Sequence, residues 1–190
     1  MKKKKITRHI KLKEYLRDNA FLTDIQLAEN LDVSVQTIRL DRQFLDIPEL
    51  RERVKNMAEN AVNNLKAISS QDIVGELLDL ELGVSAVSVL HINHDMLNKS
   101  MGIARSNYIF AQANSLALAL VDAPAALTGV ANVKYKKPVF QGEKLVAKAK
   151  VTRTRGNKSF ILVSVRSKDT EVFKAKFIIV ALNREESETG

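Results

Sequence analysis

The chain has 190 residues, with 30 Lys and Arg against 22 Asp and Glu, a formal charge of +8 and a pI near 9.7. That length allows one large domain or two small ones with a sizeable core, and the charge points to an anionic partner. There is no cysteine, which excludes disulfide and thiolate chemistry, and no apolar run is long enough to cross a bilayer.

The positive charge is spread along the chain. Residues 1–46 carry 10 basic against 7 acidic side chains, residues 47–70 carry 4 against 3, and residues 71–190 carry 16 against 12. Most of the C-terminal lysines read as a solvated strand face, with a minority available to an anionic small molecule.

The opening MKKKKITRHI is basic but has no apolar stretch behind it, so it does not read as a secretion signal, and the expected location is cytoplasmic. Its Lys4 and Lys5 fit two roles equally well: an arm lying along phosphates or in a minor groove, or a solubilising tail. A helix is predicted from Arg8 to Asp18, with Ile10, Leu12, Tyr15 and Leu16 turned to a small core that Phe21 and Leu22 cap. Next comes TDIQLAENLDVSVQTIRLDRQFL, two short helix patterns opened by the hydroxyl N-caps Thr23 and Ser34. The first turns Ile25, Leu27, Ala28 and Leu31 inward. The second buries Val35 and Ile38, with Leu45 at its end. Together with Ser34, this leaves Gln36, Thr37, Arg39, Arg42 and Gln43 for solvent, residue types that hydrogen-bond to base edges and phosphates. The pattern is a helix-turn-helix with a reading helix, the mark of a DNA binder.

Pro48 suits the first turn of a helix, and one amphipathic helix is predicted from Pro48 to Ile68. Leu50, Val54, Met57, Ala61, Leu65 and Ile68 form its apolar stripe. The other face carries Arg51, Glu52, Lys55, Glu59 and Asn63. The stripe can pair with its twin in a dimer or dock on the C-terminal domain, and an element with two docking places can act as a switch. The chain therefore divides into residues 1–46, 47–70 and 71–190.

From Gln71 the period changes. DIVGELLDLELG and SAVSVLHI read as strands, Asn93 to Ser106 as a loop, and Asn107 to Val121 as a helix apolar nearly all round, hence enclosed. Four strand-like runs follow, ALTGVANVKYKK, EKLVAKAKVTRTR, KSFILVSVRS and EVFKAKFIIVAL, the second and third joined at Arg155-Gly156-Asn157. The tail REESETG reads as frayed. An antiparallel sheet around one buried helix is the hot-dog arrangement, so the chain is α+β: a helical DNA-binding head, an amphipathic helix and a hot-dog domain.

Hot-dog domains are commonly acyl-thioester enzymes that use a carboxylate or histidine near the central helix. Here that helix offers Gln112, Asn114 and Ser115, and its one carboxylate, Asp122, stands at the far end. An amide is no general base. His91 reads as structural and His94 as a turn residue. No metal-ligand spacing and no Gly-rich phosphate loop occur, so neither metal nor cofactor is expected and catalysis is improbable. What remains is a binding site. Arg105 precedes a helix N-terminus, which itself favours anions, and Asn114 lies deeper on the helix. Arg105 suits a carboxylate ligand or an ordinary ion pair, and Asn114 a ligand bond or a buried structural one.

SVQTIRLDR with IPELRERVK, followed by GIARSNYIFAQANSLALAL, resembles the FapR family of bacterial repressors of fatty acid and phospholipid biosynthesis, over nearly the whole chain. The head alone also resembles the wider DeoR-type group. The resemblance implies a homodimeric repressor released from its DNA operator when malonyl-CoA binds the hot-dog domain. It implies that Arg105 holds the malonyl carboxylate and Asn114 helps fix the malonyl group. Leu127 would line the ligand tunnel, and Gly102, Ile103, Ala104, Asn107 and Phe110 would shape its mouth. One departure stands out: the family commonly has glycine directly after the arginine, and this chain has Ser106, which bears on the ligand loop. On this reading Arg51 or Arg53 of the amphipathic helix lies close to the DNA backbone or minor groove. Turning such a repressor from mostly bound to mostly released takes about 5 kcal/mol of differential affinity. The competing readings are a hot-dog acyl-CoA thioesterase fused to a DNA-binding head, and a repressor answering a sugar phosphate.

Overall fold

The computed structural model describes residues 2–182, with side chains from Lys5 onward, and the chain forms two compact units divided between Met57 and Ala58.

The first unit holds α1 (Lys2–Asp18), α2 (Asp24–Leu31), α3 (Val35–Phe44) and the first half of α4 (Leu50–Asn63). Leu12, Leu27, Ala28 and Ile38 form its buried centre, with Tyr15, Leu16, Leu22, Leu31, Val33, Val35, Leu45 and Ile47 packed around them. Thr23 closes a capping box with Gln26, whose amide oxygen accepts from the Thr23 backbone N–H at 3.0 Å. This satisfies two amides that would otherwise lack partners at the start of α2. Asp32 then takes the left-handed conformation (φ 50) and its N–H bonds back to Ala28 and Glu29 carbonyls. Only Val33 separates that turn from the cap of α3, so the two helices are held by local hydrogen bonds as well as by the core.

Three expectations for this unit are corrected. The lysine segment is wound into α1, which starts at Lys2 instead of Arg8. Of the two lysines named there, Lys5 is exposed, and the side chain of Lys4 lies outside the described residues. Ile10 and Ile25 are exposed rather than inward, because each sits off the stripe that its helix presents to Leu12 or Leu27. Leu22 packs on the core, while Phe21 stays 37% exposed and is not part of it.

α4 stops at Asn63, five residues before the predicted end at Ile68. The apolar period nevertheless continues in space. Leu65, Ala67 and Ile68 pack with buried Ala61 on the core of the second unit, in non-helical backbone.

The second unit is a six-stranded antiparallel sheet wrapped around α5 (Ser106–Ala119). Its strands are β1 (Glu76–Glu81), β2 (Ser85–His91), β3 (Ala125–Tyr135), β4 (Lys144–Arg155), β5 (Lys158–Ser167) and β6 (Thr170–Leu182), in the order β1-β2-β4-β5-β6-β3. This is the hot-dog fold. Alternation does the sorting: Leu145, Ala147, Ala149, Val163, Val165, Phe173, Ala175, Phe177 and Ile179 face α5, and the residues between them face away. Ala113 and Ala117 on the helix are fully buried; with Ala147 and Ala149 they let helix and sheet approach closely. Arg155 pairs with Lys158 across a two-residue turn in which Gly156 has φ +56, the backbone that a tight hairpin of this twist demands. β3 is an edge strand, bonded among the described residues only to β6.

Candidate functional sites

On the reading helix, the Ser34 hydroxyl accepts from the Thr37 amide at 3.2 Å and lies 2.9 Å from the Thr37 hydroxyl. Ser34 and Thr37 thus start α3 and fix its pitch. Gln36, Arg39 and Gln43 are exposed along it. Two further exposed residues share that surface and were not foreseen: Leu40 at 57% and Phe44 at 71%. An apolar side chain among amides and a guanidinium suits a thymine methyl. The available signal was the four-residue spacing Gln36–Leu40–Phe44, which puts all three on one face.

Arg42 does not belong to that surface. It is buried, donating from Nε and Nη2 to the two Asp24 carboxylate oxygens at 2.8 and 2.9 Å and from Nη1 to the Ile47 carbonyl at 3.3 Å. It rivets α3 to the start of α2. Arg53 is corrected likewise. It is buried and its guanidinium donates to the carbonyls of Ala20, Leu22 and Pro48 at 3.2, 2.7 and 2.7 Å. Burial, reinforced by the neighbouring Arg42 charge, pulls its pKa below the usual arginine value. Arg51 remains exposed.

A second buried cluster ties α1 to α3. Asp41 accepts from Arg8 Nε and Nη2 at 2.5 and 3.0 Å and lies 2.9 Å from His9 Nε2. Burial alone would raise the Asp41 pKa, but the bonds from Arg8 and His9 together hold it below the usual carboxylate value. The His9 ring stands 5.3 Å from the Phe44 ring, and the Lys5 ammonium lies 4.5 Å from the centre of that ring on its other contact.

In the hot-dog unit, Arg105 is the N-cap of α5. Its Nη2 donates to the Asp95 carbonyl at 2.7 Å and the Tyr108 hydroxyl at 2.9 Å, and the guanidinium lies 5.0 Å from the centre of the Tyr108 ring. All these partners are neutral. Among the described residues no carboxylate pairs with Arg105, and its charge stands at the end of a helix dipole that favours anions. Backbone bonds hold the loop before it: Arg105 N–H to Met96 O at 2.8 Å, Ala104 N–H to Val139 O at 2.8 Å and Asn98 N–H to Ile103 O at 2.7 Å. Gly102 supplies the left-handed turn (φ +64).

Ile103, Ala104, Ser106, Ile109, Tyr135, Lys136, Lys137, Pro138 and Val139 line an adjoining cavity of about 350 Å³. Its lining joins apolar side chains to the two lysines, of which Lys136 is paired with Glu171. Tyr135 donates to the Ser106 carbonyl at 3.1 Å, and burial pushes its phenol pKa up. Ser106 takes no left-handed backbone, so the glycine usual in the family is not required here by conformation. Tyr108, Tyr135, Lys136 and Lys137 were not singled out from the sequence, although the Lys-Lys-Pro run was visible.

Ile103, Ala104 and Ser106 meet at this cavity, and exposed Asn107 is on the same first turn. Other expected members lie elsewhere. Phe110 packs its ring 5.9 Å from Phe177 in the core. Asn114, nine residues along α5 from Arg105, is about 14 Å away along the axis; its Oδ1 accepts from Thr128 at 2.6 Å. Leu127 precedes Thr128 on β3 and so projects from the opposite face, exposed at 59%. Within one chain, Arg105, Asn114 and Leu127 do not form one pocket.

Residues 8–61 match the DeoR-like helix-turn-helix domain, and residues 103–174 match the Thioesterase superfamily. The protein is thus a DNA-binding regulator built on a hot-dog domain. Over 174 residues it is 53% identical to Transcription factor FapR of Caldanaerobacter subterraneus subsp. tengcongensis, covering 92% of this chain and 87% of that one. Transcription factor FapR of Thermoanaerobacter sp. strain X514 is 50% identical over 181 residues, covering 95% and 90%. An uncharacterized protein from Pyrococcus horikoshii, 30% identical, superposes with a TM-score of 0.57 over 60% of this chain and 88% of that one. The chain belongs to the FapR family of transcription factors, and its hot-dog domain serves a regulator and not an enzyme.

Proposed function

We propose that this transcription factor represses genes of fatty acid and phospholipid synthesis and leaves its operator when malonyl-CoA binds the hot-dog domain. The observation that carries the reading is Arg105, the N-cap residue of α5, whose guanidinium has neutral partners only among the described residues, beside a cavity that Lys137 and the Glu171-paired Lys136 help line. A carboxylate on an acyl thioester suits that charge, and the apolar wall suits the chain that bears it.

The distance between Arg105 and Asn114 favours a site shared by two copies, the Arg105 of one meeting the Asn114 of the other. The free edge of β3, 11 residues long, favours the same homodimer, because an unpaired edge of that length invites a second strand. Ligand then orders the loop around Arg105 and biases the amphipathic helix away from its DNA-bound arrangement. The test is DNA retardation in the presence of acyl-CoA esters. Malonyl-CoA should release the DNA and acetyl-CoA, which lacks the carboxylate, should do so far less. Equal release by both would remove Arg105 from its role.

A further inference from the structure

Residues 134–176 carry 13 Lys and Arg against 3 Asp and Glu, far more than solubility asks of one sheet. The strand register arranges much of this charge in two neighbouring rows on the face turned away from α5. One row runs Lys148, Ser164, Lys174, Lys134 across β4, β5, β6 and β3; the next runs Lys150, Leu162, Lys176, Asn132. Lys174 and Lys134 are direct cross-strand partners, a like-charge pairing that opposes sheet formation. No salt bridge takes any of the five lysines among the described residues, although the Lys174 charge also acts on Glu171. Glu171, the nearby acid, is taken by Lys136 and Ser164. The other acids of this face, Glu76, Asp79 and Glu81, stand on β1 at the opposite edge. At about 4.8 Å per strand they are roughly 10 Å from Lys148 and Lys150 of β4 and roughly 19 Å from the lysines of β6, so at physiological salt they leave the β6 lysines uncompensated.

We propose that this lysine face is a second, sequence-independent DNA-binding surface, which takes the phosphates of duplex DNA outside the stretch that α3 reads. A duplex is the polyanion that the helix-turn-helix already brings to the protein. The face has what such contact requires: several exposed ammonium groups on a rigid sheet, at fixed spacing, with no base-reading side chains. It is separate from the cavity beside Arg105 and does not depend on which ligand that cavity takes.

The test compares two duplexes under titrated salt. One is the segment that the full chain protects in a footprint when Lys148, Lys150, Lys174 and Lys176 are all replaced by Gln; the other is that segment extended by roughly 20 bp on each side, about two helical turns. The wild type should bind the extended duplex more tightly and with the steeper salt dependence. Replacing Lys148, Lys150, Lys174 and Lys176 together by Gln should make the log–log slope on the extended duplex shallower by about 3.6 if each meets one phosphate, and leave the short duplex unchanged. The same four replaced by Arg should behave as wild type, which separates charge from misfolding. Equal slopes for wild type and the Gln variant on both duplexes would overturn the proposal. So would a Gln variant that keeps its DNA slopes but loses binding to phosphatidylserine vesicles, or one whose defect is confined to malonyl-CoA affinity.

Discussion

Replacing Arg42 by Ala separates stability from recognition in the DNA-binding unit. The Arg42 side chain is 7% exposed and its partner Asp24 is 20% exposed, so solvent screens the pair little. An exposed pair would contribute about 0.2–1 kcal/mol, whereas removing one partner of a buried pair costs about 3–5 kcal/mol because the other charge is stranded. Two features move the value to the lower end. Arg39, 3.6 Å from the same carboxylate, takes over part of the compensation, and the repulsion between Arg42 and Arg53 disappears. Loss of the bond to the Ile47 carbonyl adds back roughly 1 kcal/mol. The expected loss is about 3 kcal/mol, or roughly 12–24 °C in Tm for a unit of this size. Amide exchange in α2 and α3, together with urea melts of the full chain, reads it out, with Arg39→Ala as the control that weakens DNA binding and barely changes stability. If Arg42→Ala melted within about 3 °C of wild type yet lost its DNA, the residue would be a DNA contact and the buried-pair argument would be wrong.

Four other outcomes are expected. Arg105→Ala should abolish the calorimetric signal of malonyl-CoA and leave DNA affinity without ligand unchanged; retained malonyl-CoA binding removes the carboxylate assignment. Asp41 has a folded-state pKa below its unfolded one, so its contribution is fully present above the usual carboxylate range and fades as the pH falls through the lowered folded value. An acid titration of α1–α3 stability should show that limb, and Asp41→Asn should lack it. Thr23→Ala removes the hydroxyl half of the capping box while keeping the backbone N–H that bonds Gln26, and should destabilise the first unit by about 1 kcal/mol, as read by urea denaturation; a change under about 0.3 kcal/mol would mean that the cap is redundant. Gln112 is fully buried; its Nε2 donates to the Ser88 carbonyl and hydroxyl and the Leu145 carbonyl at 3.4, 3.3 and 3.4 Å, while its Oε1 has no partner among the described residues. Gln112→Met removes the orphaned acceptor but strands the Ser88 hydroxyl, so it should cost no more than about 1 kcal/mol in a thermal melt. A loss of about 2 kcal/mol or more would reveal a bound water that the amide needs.

Much of the fold could be read from the sequence because it rests on period and punctuation. The switch from a 3.6-residue to a two-residue repeat after Gln71, the hydroxyl caps Thr23 and Ser34, and the Arg155–Lys158 turn each act locally. The errors fall where a partner distant in sequence decides. Arg42 and Gln43 look alike to a pattern of polar positions, but Asp24, 18 residues earlier, draws Arg42 inward. Arg53 seemed a phosphate contact because nothing in the chain nearby announces three free carbonyls at Ala20, Leu22 and Pro48. The exposure of Leu127 was not legible because a bulge between Thr128 and Val130 breaks the alternation of β3, which puts Leu127 on the face away from Val133. Arg105 was legible by its place before an apolar helix, whereas the tyrosines and lysines around it come from loops and strands that only the fold gathers.

The grip of Arg53 on the start of α4 has an evolutionary consequence. All three of its acceptors are main-chain carbonyls, which every amino acid supplies. Substitutions on the exposed face of α3 can therefore retune the operator without touching the joint through which α4 leaves the head. Recognition and the anchoring of α4 sit on separate sets of residues, so a descendant can change the sequence it reads while it keeps the head folded.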